Sequence, residues 1–194
     1  MGVTSNPTYG GQDAGIHEVH TTTPLEAKRV AEEILGPVDD IIPEFSSNYE
    51  VLSSLMSLSR GLKRSEMPVI SPSQAGGFVE KLRNGDLGSY GKLVIPEEKV
   101  TARDLKPIQG QVYLDNALGK IKDFGVVLPG SQITTKPLIA SMDNDIIDGH
   151  HKWAATIISN PNTQLTVFKV PLPIHELLSI AMAYGESLGN TKNK

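Results

Sequence analysis

The sequence predicts an α+β fold: a small mixed sheet with packed helices, preceded by an N-terminal helical extension. Three observations predict it. Residues 24–86 carry apolar residues at helical spacing with no alternating stretch. From Lys92 onward, short apolar runs alternate with helical patterns. Finally, Met142-Asp143-Asn144-Asp145 has the composition of a hairpin turn between two such runs. At 194 residues the chain accommodates one domain of ordinary size plus an extension.

Four regions are expected: an arm over 1–23, a helical N-terminal region over 24–91, an α+β domain over 92–188 and a tail over 189–194. The arm is rich in Gly, Thr, Ser and Asn and is expected to be loose. A helix follows over 24–35. Thr23 can cap it, Pro24 suits its first position, Glu26 completes the start signal, and Gly36-Pro37 stops it. The stretch "NYEVLSSLMSLSRGLK" places Val51, Leu52, Leu55, Met56, Leu58 and Leu62 along one face, which attaches either to the protein's own core or to a second copy. A capped helix is expected over 73–84, ending at Gly85. Beyond it come a strand at Leu93-Val94-Ile95, a helix over about 108–122 and strands at 138–140 and 146–147. A helix from His150 to about Asn160, a strand within "TQLTVFKVPLP" and a closing helix in "IHELLSIAMAYGESLG" complete the domain.

Composition narrows the function. The net charge of −4 supplies no global field for nucleic acid, so DNA is a disfavoured partner; the one basic cluster is Arg60, Lys63 and Arg64. The chain has no cysteine, which excludes disulfides, thiolate metal sites and cysteine nucleophiles. The opening "MGVTSNPTYGGQDAG" lacks the charged and apolar segments of a secretory signal, and no apolar run reaches membrane-span length. A cytoplasmic protein with no membrane partner is expected. His17 and His20 have metal-clasping spacing but fall in the arm, and Asp143-Asn144-Asp145 lacks the glycine and third ligand of a calcium loop.

The informative stretch is "IDGHHKWAA", 147–155. Gly149 lets the chain turn sharply after a strand, and a helix starting at once offers unpaired amides and the positive end of its dipole to an anion. His150, His151 and Lys152 add donors at the same end. Asp148 is either a helix cap or a ligand for Mg²⁺. Adjacent histidines point about 100° apart on a helix, so they cannot share one zinc ion.

"DGHHKWAA" resembles the Asp-Gly-His-His-Arg motif of the ParB/sulfiredoxin superfamily. "DLKPIQGQ", Asp104 to Gln111, resembles the family's first box, and Lys136-Pro137-Leu138-Ile139 resembles the strand leading to the site. The resemblance covers 92–188 and none of 1–86. It implies a nucleotide such as ATP or CTP, Mg²⁺, and phosphates held at the turn by Gly149, His150, His151 and Lys152, with Lys106 and Gln109 of the first box added. Asp148, His150 and His151 become the catalytic candidates for phosphoryl transfer or hydrolysis, with Asp148 also the metal ligand. Three departures limit it. Lys152 stands where the family has arginine, exchanging a bidentate contact for a point charge. His150 stands where sulfiredoxins carry cysteine, which rules out sulfinic-acid reduction. Gln109 stands where the free serine kinases carry their glutamate base. The chain leaves no room after 188 for the DNA-binding and dimerisation domains of partition proteins, so that role is not expected. The alternative implied is a non-enzymatic, nuclease-like or assembly module of phage or mobile-element type, whose N-terminal helices form a homo-oligomer.

Overall fold

The structure of the protein is a computed structural model that describes residues 15–190; the expectations for 1–14 and 191–194 lie outside the described residues. It is α+β, with eight α-helices and one four-stranded mixed sheet among those residues. The N-terminal region supplies α1 (Pro24–Leu35), α2 (Val38–Ile41), α3 (Phe45–Met56) and α4 (Pro72–Asn84). Then come β1 (Glu97–Thr101), α5 (Leu114–Phe124), α6 (Gln132–Thr135), β2 (Leu138–Ala140), β3 (Ile146–Asp148), α7 (His150–Ser159), β4 (Gln164–Lys169) and α8 (Ile174–Ser187). The sheet order is β1-β4-β2-β3: β4 runs antiparallel to β1 and parallel to β2, while β2 and β3 form the expected hairpin.

Most punctuation acts as the residues dictate. The Thr23 hydroxyl accepts the Glu26 amide at 3.2 Å, and Gly85 leaves α4 in the left-handed conformation that glycine adopts without strain. Asn144 turns the β2–β3 hairpin at φ 68°, and the Ser141 hydroxyl accepts the amides of Asp143 and Asp145, both at 3.1 Å.

Three expectations need correction. Leu93-Val94-Ile95 is not a strand: β1 begins two residues later, with Val94 exposed and Ile95 buried. Five consecutive residues carry the edge pairing to β4 only from Glu97, after Pro96, whose missing N–H cannot join a ladder. The helix expected from Ile108 starts at Leu114, because the amides of Ile108, Gln109, Gly110 and Tyr113 are taken up by other groups. Residues 15–23 are not a loose arm. Val19 is fully buried and its amide donates to Val112 O, while the Asp115 carboxylate accepts the amides of Ile16 and His17 and bonds His17 Nδ1 at 2.9 Å. The His17–His20 pair is therefore split, one ring on Asp115 and the other 3.5 Å from Glu18. At the other end, Asn190 is held by Val69 O at 2.7 Å and Gln74 Oε1 at 2.8 Å.

The N-terminal helices share a core with the rest. Val30, Phe45, Tyr49 and Leu52 form one apolar cluster with Trp153, Ala154, Leu165 and Val167. The face of α3 carrying Leu52 and Met56 is thus buried inside the chain itself. Small residues at Ala154 and Ala155 let α7 sit against both α3 and α5. A polar tie reinforces this: buried Asn48 of α3 donates to Ile158 O at 2.8 Å and Ser159 O at 3.3 Å, at the end of α7. Among the described residues no helix is long and apolar enough to cross a membrane.

Asn48→Ala removes the donor that the two α7 carbonyls share. It is expected to lower stability by about 1–3 kcal/mol, read as a lower urea midpoint at unchanged slope. An unchanged midpoint would show that α3 and α7 do not depend on this tie.

Candidate functional site

Gly149 sets the geometry of the site. It takes φ 102° between β3 and α7, and a Cβ added there would stand 2.8 Å from Leu138 Cδ2 in the core. A side chain is excluded both by backbone conformation and by space. The first bond of the α7 ladder runs from Trp153 N to Gly149 O at 2.9 Å, so the amides of His150, His151 and Lys152 precede it. Trp153 anchors the turn from beneath by donating its indole N–H to Ala102 O at 2.8 Å.

The two histidines face the protein rather than solvent, at 4% and 7% exposure. His150 Nε2 accepts the amides of Ile108 at 3.0 Å and Gln109 at 3.3 Å; His151 Nε2 accepts the amide of Tyr113 at 3.1 Å and its ring stacks on the Tyr113 ring. An imidazole nitrogen that accepts an N–H carries no proton itself, so each ring is neutral with its proton on Nδ1. Burial pushes both rings down to about 3, with His150, Lys120 and Arg64 adding charge repulsion at His151. The histidines therefore bring no positive charge. They fasten the Asp-Gly-His-His turn to the 108–113 stretch and, through it, shape the pocket wall.

That stretch is also held on both flanks. Lys106 N donates to Asn144 O and Lys106 O accepts Ile146 N, both at 2.9 Å, beside β3. On the far side Leu62 N donates to Ile108 O at 3.0 Å and Gly110 N to Leu62 O at 2.8 Å. The side chain of Lys106 is exposed and is not part of the pocket. Gln109 is buried and lines it, with its amide nitrogen donating to Gln111 O.

A pocket of about 330 Å³ opens over this turn, lined by Asp148, Gly149, His150, His151, Lys152 and Gln109. Three further cations that were not among the predicted site residues join it: Arg64, Lys120 of α5 and Lys136 before β2. Among the described residues Asp148 is the one acidic residue on the wall. Its carboxyl is raised by burial, against the opposing pull of Lys152 and Lys120. Lys152 donates to Lys136 O at 2.9 Å; burial pushes its amine down to about 8, with Asp148 opposing and Lys120 and Lys136 adding to the shift. Lys120 is lowered by burial as well, partly offset by Asp148 and Asp123. Low basicity in two neighbouring amines, Lys120 and Lys152, marks a buried place where positive charge is incompletely neutralised.

Of the predicted site residues, the structure brings together Asp148, Gly149, His150, His151, Lys152 and Gln109, and leaves Lys106 outside. Lys120 carried no signal in the sequence, since its spacing on α5 is that of any lysine flanking the buried Ala117–Ile121 face. Among the described residues no three His, Asp or Glu side chains gather around a metal position. The one basic cluster seen in the sequence is dispersed: Arg64 is buried at the pocket and Arg60 leans towards Asp145 at 3.6 Å. Comparison of the chain with known protein families, with curated proteins and with solved structures finds no match.

Protonation of either buried ring would turn an acceptor into a donor facing a backbone N–H. The unfolded chain protonates these imidazoles below about pH 6.5, the folded chain only near pH 3. Stability from the neutral rings is thus intact above pH 6.5 and is lost as pH falls from there towards 3, by up to about 1.4 kcal/mol per pH unit for each ring. Asp148, raised in the fold, works against this slope by gaining its proton early. Urea unfolding at pH 7 and pH 5 should differ by a few kcal/mol, and the pair His150→Gln with His151→Gln should flatten the difference. Equal stabilities at the two pH values in the unaltered protein would contradict neutral, accepting imidazoles.

Proposed function

We propose that the protein binds a small phosphate-bearing molecule, of the nucleotide class implied by the ParB/sulfiredoxin resemblance, at the start of α7. The observation that carries this reading is the meeting of Lys120, Lys136 and Lys152 with a helix N-terminus around a single carboxylate, in a chain whose overall charge is −4. Crowded amines are relieved by an anion, and amides ahead of the α7 ladder supply directed donors to its oxygens. The role of the histidines in this reading is to fix the turn through Nε2, leaving Nδ1–H as the one donor each ring can offer.

Chemistry, if the bound phosphate turns over, falls to Asp148 and the lysines. A carboxylate with raised proton affinity is a better general base near neutral pH than an ordinary one. Ammonium groups around it neutralise charge developing on phosphoryl oxygens. A magnesium ion would find one carboxylate here and take its other donors from the ligand's phosphate oxygens and water, as this ion commonly does.

Titration calorimetry with ATP, CTP and pyrophosphate, with and without Mg²⁺, tests the reading. Lys120→Ala and Lys152→Ala are each expected to weaken binding about tenfold or more, the scale of one charge-assisted contact. Binding at pH 8 should also take up protons, because an anion raises Lys152 from about 8; the uptake is read from the dependence of the heat on buffer ionisation. Absence of binding at millimolar ligand, or binding indifferent to both lysines, sinks it.

A further inference from the structure

The cationic end accounts for only part of the pocket. The remaining wall is apolar: Met67, Pro68 and Ala75 from the N-terminal region, Phe124 at the end of α5 and Ile133 of α6. A site for inorganic phosphate or a bare sugar phosphate gains nothing from such a wall, since both are hydrated over their whole surface. Phe124 stands out within it. It is an aromatic side chain left 60% exposed, yet it lines the pocket rather than joining the core. Lys120 lies four residues earlier on the same helix, so one face of α5 presents an amine and, one turn on, a flat ring. The volume of about 330 Å³ is at the small end of ligand pockets and suits one compact molecule rather than a polymer.

We propose that the ligand is an organic phosphate whose other half is a flat aromatic group, stacked on Phe124 and covered by Met67 and Pro68, so that the N-terminal region completes the specificity of the site. This rests on the anion-binding reading above and adds the chemistry of the ligand's second half. It also gives residues 64–75, which lie outside the family resemblance, a direct task. The ring is recognised by contact with π-faces and apolar side chains. Gln109 adds little base-edge reading, because its amide nitrogen is committed to Gln111 O.

The experiment compares four probes by calorimetry on the full chain: pyrophosphate, ribose 5-phosphate, phenyl phosphate and AMP. Phenyl phosphate and AMP are expected to bind at least about tenfold tighter than ribose 5-phosphate. Phe124→Ala should erase that margin while leaving pyrophosphate affinity within about twofold, and Phe124→Trp should keep it. Because Phe124 is largely exposed, these variants are expected to melt like the parent, and Met67→Ala provides a second probe of the same wall. Equal affinity for ribose 5-phosphate and phenyl phosphate, or aromatic phosphates indifferent to Phe124→Ala, overturns the inference. Pyrophosphate binding without aromatic preference removes this proposal alone, whereas no binding of any phosphate removes the anion-binding reading with it.

Discussion

Three backbone amides accepted by two neutral imidazoles hold the site in place. Without His150 and His151, the amides of Ile108, Gln109 and Tyr113 would be buried without partners, at a cost of about 1–3 kcal/mol each. The same bonds position the stretch that bridges β3 on one side and Leu62 on the other. The hairpin, the start of α7 and the N-terminal region therefore meet at two adjacent side chains. Gly149 makes this geometry accessible, since no other residue fits its φ of 102° against Leu138.

Consumption of the imidazole acceptors decides where the pocket's charge comes from. Neutral rings leave the positive charge of the pocket to Arg64 and to lysines on three different elements, two of which, Lys120 and Lys152, are lowered chiefly by burial. These lysines come from α5, the approach to β2 and α7, all anchored in one apolar core. A lysine at 152, where the resembled motif has arginine, fits this arrangement: a point charge among point charges needs no planar partner.

Much of the fold was legible because its signals are local. Thr23, Pro24 and Gly36 bracket α1, Gly85 ends α4, and the polar turn between apolar runs gives the β2–β3 hairpin. The failures lie where long-range pairing outweighed local preference. Leu93 to Ile95 is more strand-like than Glu97 to Thr101, yet β4 pairs with the latter. Ile108 to Tyr113 would have continued a helix had two histidines some 40 residues later not claimed its amides. The turn at Asp148–Lys152 was legible from its glycine and charge pattern, but the opposite wall was not. Arg64, Lys120 and Phe124 become a site only through tertiary packing, and each alone looks like an ordinary surface or core residue.

The most direct measurement is the protonation of the two buried rings, by long-range ¹H–¹⁵N correlation spectra of the imidazoles between pH 8 and pH 4. Neutral rings protonated on Nδ1, with Nε2 unprotonated and both signals unchanged until pH approaches 4, are the expected result. Rings protonated on Nε2, or titrating near pH 6.5 as in an unfolded chain, would mean that the histidines do not hold the turn as described.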